Sequence, residues 1–300
     1  MVYPKKIDLH IHTTASDGTF TPREVAGFVA AEGVELFSIT DHDAVKGCKE
    51  VLDSMTENSP AFITGVEFSC KDEEGQYHVL GYGYDENSKK ITDVVDKGHD
   101  FRMQKLQIRL DFLKDTFGFT FSGDDVKYLR SLNNPGKPHI GNMMVKYGYA
   151  KTRSEAITDF LDKLHVGDEY VRPEEAIEGI LGAGGIPVLA HPIFGRGDGL
   201  IRGEELEKRV EKLIGFGLKG VEAYYSGFTD DMIAETLALS EKYGLFVTAG
   251  SDYHGANKPV KIGGDHFPGN GIYPVGLRRF LETVKIIRGE KNNVEHRKEL

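Results

Sequence analysis

The run Asp8-Leu9-His10-Ile11-His12-Thr13-Thr14-Ala15-Ser16-Asp17-Gly18 decides how this chain is read. Ile7–Ile11 has strand character, and His10 and His12, two residues apart, project to one side of such a strand. Five further motifs carry similar side chains: Thr40-Asp41-His42-Asp43, Gly65-Val66-Glu67, Tyr77-His78-Val79, Ala190-His191-Pro192 and Ser251-Asp252-Tyr253-His254. Each is expected at the C-terminal end of a strand, the edge where parallel α/β folds gather their active sites. One His-x-His alone is often incidental, and a lone His78 or His191 would read as a buried, hydrogen-bonded histidine. Recurrence at successive strand ends is what carries the argument. His10, His12, Asp17, His42, Glu67, His78, His191, Asp252 and His254 together supply more donors than the roughly four to six that one ion takes. They suit two or three clustered divalent ions, with Glu67 as the bridging carboxylate.

Outward from this run, residues 1–84 alternate strand and helix patterns. Leu36–Thr40, Phe62–Phe68 and Tyr77–Tyr82 read as strands. Thr21-Pro22-Arg23-Glu24 reads as a capping box opening a helix that runs to about Gly33. Residues 85–175 lose this rhythm and predict a mostly helical insertion, with helices at Phe101–Phe117, His139–Tyr147 and Ser154–Leu164, the last capped by Ser154. Residues 176–288 return to alternation. Helices are expected at Pro173–Leu181, Glu204–Phe216, Asp230–Tyr243 and Pro274–Arg288, and strands at Ile186–Ala190, Gly220–Tyr224 and Phe246–Gly250. Residues 289–300 form a polar tail. The alternation points to a parallel α/β catalytic unit, a barrel or a doubly wound sheet, built from residues 1–84 and 176–288.

Composition narrows the function. With 17 Phe and 13 Tyr among 300 residues, the chain has the material for a substantial core. Its 37 Lys and Arg against 47 Asp and Glu leave a net charge of −10, which argues against a clamp on duplex DNA. No apolar run reaches the roughly 20 residues of a membrane span, and Met1–Leu9 shows no signal-peptide pattern. Two cysteines, Cys48 and Cys70, are too few for a disulfide framework, so a reducing, cytoplasmic setting is expected.

The opening run, with Thr40-Asp41-His42, Gly65-Val66-Glu67, Ala190-His191-Pro192 and Ser251-Asp252-Tyr253-His254, resembles the PHP (polymerase and histidinol phosphatase) family, over residues 5 to about 255. The resemblance implies a distorted seven-stranded TIM-like (β/α) barrel with a trinuclear site. It implies that His10, His12, Glu67 and Asp252 hold one ion, Glu67, His78 and His191 a second, and Asp17, His42 and His254 a third. Lys137-Pro138-His139-Ile140-Gly141 and Tyr170-Val171-Arg172-Pro173 are similar to a bacterial subgroup that removes the 3′-phosphate of nucleoside 3′,5′-bisphosphates and trims short RNA from its 5′ end. That subgroup usually carries Arg before Pro-His, where this chain has Lys137.

The expected reaction is therefore metal-dependent hydrolysis of a phosphate ester by water that the ions activate. Three divalent ions with the carboxylates of Asp17, Glu67 and Asp252 leave the site at about +3, which draws in a small anionic ester, a nucleotide or short single-stranded RNA, despite the chain's overall charge. Imidazole and carboxylate donors without thiolate suit Mn, Fe or Zn. Glu67, Asp252, His254 and His139 are the expected catalytic residues, and Lys137, His139 and Arg172 the expected phosphate contacts or proton donors. Asp41 and Asp43 flank His42 as candidate orienting carboxylates, Asp43 equally as a helix cap. Glu222 reads as an orienting group or a pore-facing carboxylate. Arg102 and Arg109, seven apart on one helix face, are candidates to meet nucleotide phosphates, with solvated surface as the simpler reading. Arg196-Gly197-Asp198-Gly199 reads as a turn, and Gly263–Gly271 as a long connector or, alternatively, a loop that closes over substrate. The competing readings are a histidinol-phosphate-type phosphatase, an amidohydrolase and a non-catalytic metal-binding module.

Overall fold

A computed structural model describes residues 3–132, 134–164, 169–194 and 199–289. Seven strands, β1 (Ile7–Asp8), β2 (Leu36–Ile39), β3 (Ala61–Asp72), β4 (Gly75–Tyr82), β5 (Ile186–Leu189), β6 (Gly220–Tyr225) and β7 (Phe246–Gly250), form one sheet in sequence order. It curls until its ends meet. Leu9 N–H donates to Ala249 O at 2.9 Å, Asp252 N–H to His10 O at 2.8 Å and His12 N–H to Tyr253 O at 2.8 Å. The result is a nearly closed, distorted barrel. Strands β2 and β5 are buried along their whole length, as strands covered on both faces must be.

One expectation about strand direction fails. β4 runs antiparallel to both β3 and β5. Only Glu73 and Glu74 separate β3 from β4, too short a link for a parallel crossover, and Gly75 takes φ of 147°, which a side chain would resist. His78 therefore lies midway along its strand, and Glu67 midway along β3, not at the expected strand ends. Both are still level with the edge where the parallel strands finish: Ala190 N–H, just past β5, donates to His78 O at 3.0 Å, and Asp43 N–H, beyond β2, to Glu67 O at 2.8 Å.

Helices α1 (Pro22–Ala31) and α2 (Lys46–Ser54) cover the first strands. The capping box of α1 forms as expected: Thr21 Oγ1 accepts from Glu24 N–H, and the Glu24 carboxylate accepts from Thr21 N–H. Asp43 caps nothing, since α2 begins at Lys46 behind Val45. Helix α3 (Lys89–Phe117) starts twelve residues earlier than its apolar spacing predicts, and α4 (Gly123–Ser131) was not foreseen. α5 (Lys137–Lys146) is followed by α6 (Arg153–Glu155), which is capped by Thr152, not Ser154, and continues to Lys163 with two changes of helical pitch. Ile91, early in α3, packs with the barrel core. Leu106, Leu110 and Leu113, late in α3, pack with Leu129, Ile140 and Met144 in a separate apolar cluster. We propose on this ground that residues 85–175 are an inserted unit, with α3 as the strut that joins it to the barrel.

Helices α7 (Pro173–Gly182), α8 (Gly203–Phe216) and α9 (Asp230–Tyr243) fall where the periodicity places them. α10 (Val275–Thr283) stops five residues short of the expected Arg288. Beyond it Ile287 pairs with Phe62 of β3, so the chain leaves the helix to satisfy that strand's backbone. The 263–271 connector is tied to the end of β1 by Gly263 N–H donating to Asp8 Oδ2 at 2.7 Å. Among the described residues no helix is long and apolar enough to cross a membrane. The expected turn at Arg196-Gly197-Asp198 and tail residues 290–300 lie outside the described residues.

Candidate metal centre

The barrel mouth brings all nine sequence-derived donors together. Glu67 sits at its centre, 1% exposed. Its Oε1 lies 2.8 Å from His78 Nδ1 and 3.4 Å from His191 Nε2. Its Oε2 lies 3.1 Å from His12 Nε2, 3.1 Å from His42 Nδ1 and 3.3 Å from His10 Nε2. Asp252 Oδ1 stands 3.3 Å from both His12 Nε2 and His254 Nδ1. Asp17 Oδ1 stands 3.3 Å from His254 Nε2. Ligand atoms fall within 4.8 Å of one another in three groups: His12, Asp17, His42 and His254; His10, His12 and Glu67; His42, Glu67 and His78.

Local backbone geometry places these side chains. Gly250, at the end of β7, is where a Cβ would collide with His10 and with Glu222, so only glycine lets the two strands approach. Asp43, His191 and Asp252 adopt φ of 46°, 28° and 58°. Non-glycine residues in this region carry local strain that a surrounding structure must overcome, and such residues collect at functional sites. Asp41 does not touch His42. It accepts from Thr13 N–H at 2.7 Å, Thr13 Oγ1 at 2.7 Å and Ser16 Oγ at 2.6 Å, and so ties down the turn that presents Asp17.

Glu222 settles into one of its two expected roles. It is fully buried, with Oε1 3.0 Å from His10 Nδ1 and Oε2 accepting from His191 N–H at 2.9 Å. A carboxylate on the far ring nitrogen fixes the tautomer and aims Nε2 at the cluster. Glu222→Gln is expected to cost about 10- to 100-fold in metal affinity, read by metal titration of the refolded apoprotein. An unchanged affinity would remove Glu222 from this role. Two further partners had no signal in the sequence. Tyr225 Oη donates to Asp252 Oδ2 at 2.8 Å, and Lys258 Nζ lies 2.5 Å from the same oxygen.

Electrostatics match a cation site. Burial alone would push the Glu67 carboxyl up, but His78, His42 and His10 outweigh it and hold the group well below its usual range. Burial likewise opposes ionisation of Asp252, and Lys258 and His10 reverse that. Both Glu67 oxygens are buried without a directed hydrogen bond, although five imidazole nitrogens surround them. A buried carboxylate is normally satisfied by N–H or O–H donors. Imidazole nitrogens converging on it are what a bridging ligand requires, so the residues fit a cluster of divalent ions.

The expected substrate contacts divide. Lys137 lines a cavity of about 220 Å³ that opens onto the cluster beside Asp17, His42 and His78, and its ammonium pairs with Asp162. His139 is turned away from that cavity: Nδ1 accepts from Gly136 N–H at 3.1 Å, and the ring bonds to the Ser16 backbone beside Asp17. Arg172 is engaged elsewhere, on Glu73 at 2.7 Å and Glu174 at 3.1 Å, and does not line the cavity. Its place is taken by Arg102 and Arg109, whose simpler reading was solvated surface, together with Lys105, which the sequence did not single out.

Fold and donor set together define a metal-dependent phosphoesterase built on a barrel. The PHP domain profile matches residues 8–164, more than half of the chain, and the chain belongs to that family. It is 28% identical to a 5′-3′ exoribonuclease of Haemophilus influenzae, over 83% of this chain and 90% of that one. It is equally 28% identical to a 3′,5′-nucleoside bisphosphate phosphatase of Chromobacterium violaceum, over 83% and 87%. A phosphoribosyl 1,2-cyclic phosphate 1,2-diphosphodiesterase of Eggerthella lenta also matches at 28%, over 83% and 94%. Among solved structures, one assigned to a metal-dependent phosphoesterase of Bifidobacterium adolescentis superposes with a TM-score of 0.77 at 28% identity, covering 86% of this chain and 91% of that one. One described as an amidohydrolase of C. violaceum, with bound sulfate, gives a TM-score of 0.80 at 25% identity, covering 94% and 98%.

Proposed function

We propose that this phosphoesterase hydrolyses nucleotide esters, with the 3′-phosphate of a nucleoside 3′,5′-bisphosphate or a short oligoribonucleotide as substrate. The observation that carries the reading is the Glu67 carboxylate, whose two buried oxygens face separate sets of imidazoles. In this reading His10, His12, Glu67 and Asp252 hold one divalent ion, Glu67, His78 and His191 a second, and Asp17, His42 and His254 a third. Nitrogen and oxygen donors without thiolate suit Mn, Fe or Zn. Such ions, when bound, lower the pKa of water and neutralise charge developing on a phosphoryl group.

The chain's own residues do the rest. Glu222 and Tyr225 hold His10 and Asp252 in their orientations. Lys258 adds a cation at the Asp252 side of the mouth, and Lys137 one on the cavity wall. His139 is a positioning residue in this arrangement, because it ties the start of α5 to the loop that presents Asp17.

The test is a substrate panel on metal-analysed protein: adenosine 3′,5′-bisphosphate, a 5′-phosphorylated RNA trinucleotide, a cyclic ribose phosphate, histidinol phosphate and an N-acyl amide. Turnover of the first or second, well above the rest, is expected. Hydrolysis of the amide alone would overturn the reading in favour of an amidohydrolase, and inactivity of the loaded protein on all five would favour a binding module. In the same panel His139→Ala is expected to lower kcat/KM by about tenfold with metal content intact. Loss of an ion in that variant would instead make His139 a ligand.

A further inference from the structure

Arg102, Lys105 and Arg109 are spaced three and four residues apart on α3, so they share one face of the helix. In the folded chain that face forms a wall of the 220 Å³ cavity that also reaches Asp17, His42 and His78. Arg102, nearest the cluster, is fully engaged: Nε donates to Asp43 Oδ2 at 2.6 Å and Nη2 to Ser69 Oγ at 2.8 Å. The next two cations differ. Lys105 is 5% exposed and Arg109 8% exposed, and among the described residues neither has a carboxylate within ion-pair distance. The Lys105 ammonium lies over the ring of Tyr170, 2.9 Å from its centre, and Arg109 Nε is buried with no hydrogen-bond partner.

Burying a cation without a counter-ion is costly, and a protein keeps one in place when something outside the chain repays the cost. Here the cost is visible. Burial, then the proximity of Arg102 and Arg109, push the Lys105 ammonium down to about 7. An anion in the cavity would reverse that. The neutral wall is suited to a nucleotide as well. Tyr170 offers an aromatic face, and Gln76, hydrogen-bonded to Tyr170 Oη at 3.2 Å, offers an amide. At about 1.5 Å per residue, Arg109 lies roughly 10 Å along the helix from Arg102. The cationic wall therefore extends well past the space that one phosphate at the cluster would fill.

We propose that Lys105 and Arg109 form a subsite for a second phosphate of the substrate, which sets the distance between that phosphate and the one hydrolysed. The proposal rests on the phosphoesterase reading of the cluster. Two sources share the chemistry: the second phosphate of a nucleoside bisphosphate, and the 5′-terminal phosphate of a short RNA.

Lys105→Met and Arg109→Gln are the test variants, each with metal content verified. The substrates are adenosine 3′,5′-bisphosphate, adenosine 3′-monophosphate, and one RNA trinucleotide with and without its 5′-phosphate. The expected result is a KM for the two-phosphate substrate raised about tenfold or more, with kcat far less affected. The preference for two phosphates over one then collapses. Collapse with the bisphosphate assigns the subsite to the second phosphate of a mononucleotide, and collapse with RNA alone assigns it to the 5′-terminal phosphate of an RNA. Lys105→Met should also melt no lower than the wild type, because it removes an uncompensated charge. Equal losses on one- and two-phosphate substrates, or no loss, would overturn the subsite. If the wild-type protein hydrolyses none of these, the phosphoesterase reading fails separately. The subsite is then read from pyrophosphate binding to the loaded protein, and wild-type affinity in the Lys105→Met/Arg109→Gln double variant would refute it.

Discussion

Glu67→Gln is expected to lower kcat/KM by about a thousandfold or more, equivalent to some 4 kcal/mol of transition-state stabilisation, and to reduce bound metal. The substitution is nearly isosteric and leaves the β3–β4 ladder untouched, so the barrel should still form. What it removes is the single buried charge that stands between His78 and His191 on one side and His10, His12 and His42 on the other. An amide presents one acceptor and one N–H donor, and the donor faces imidazole nitrogens that should carry a cation. Metal analysis and steady-state kinetics on the same preparation separate the outcomes. A variant turning over at the wild-type rate would show that Glu67 does not bridge. A variant that loses rate and keeps its full metal complement would place Glu67 against the substrate instead.

Chelation of the holoprotein should abolish turnover and lower the melting temperature. Glu67, Asp252 and Glu222 are 1%, 4% and 0% exposed, and among the described residues Lys258 is the one ammonium paired with these carboxylates, the rest of their partners being imidazoles, the Tyr225 hydroxyl and the His191 N–H. Ions present at about 1,000 times their dissociation constant would stabilise the folded chain by about 4 kcal/mol. For a domain of this size that corresponds to a shift on the order of 10 °C. Both effects should return when Mn or Zn is added back. A chelated protein that melts at the holoprotein's temperature and keeps its activity would end the metal-dependent reading. Recovery with only one of the candidate metals would identify the working ion.

Much of the site was legible because metal ligands advertise themselves locally. His10 and His12 declare a shared face by their spacing alone, and each remaining donor lies in a short motif on a strand or just beyond one. Helix α1 was legible for a similar reason, since its capping box needs only residues 21 to 24. The limits of α3, α10 and the segment after Thr152 were less so. Those boundaries depend on which surface the helix docks against, and α3 spans two separate cores.

Sequence by itself determined the donor chemistry and the α/β class, because these reside in side-chain identity and short-range period, and its motifs carried the family resemblance that implied a barrel. Only the tertiary structure decided the direction of β4, the pairing of Glu222 with His10, the diversion of Arg172 to Glu73, and the burial of Lys105 and Arg109. A lysine or arginine on a helix has the same local pattern whether it faces water or a cavity. What separates the two is the low-dielectric wall across from it, and that wall is supplied by Tyr170 and Gln76, residues far away in the chain.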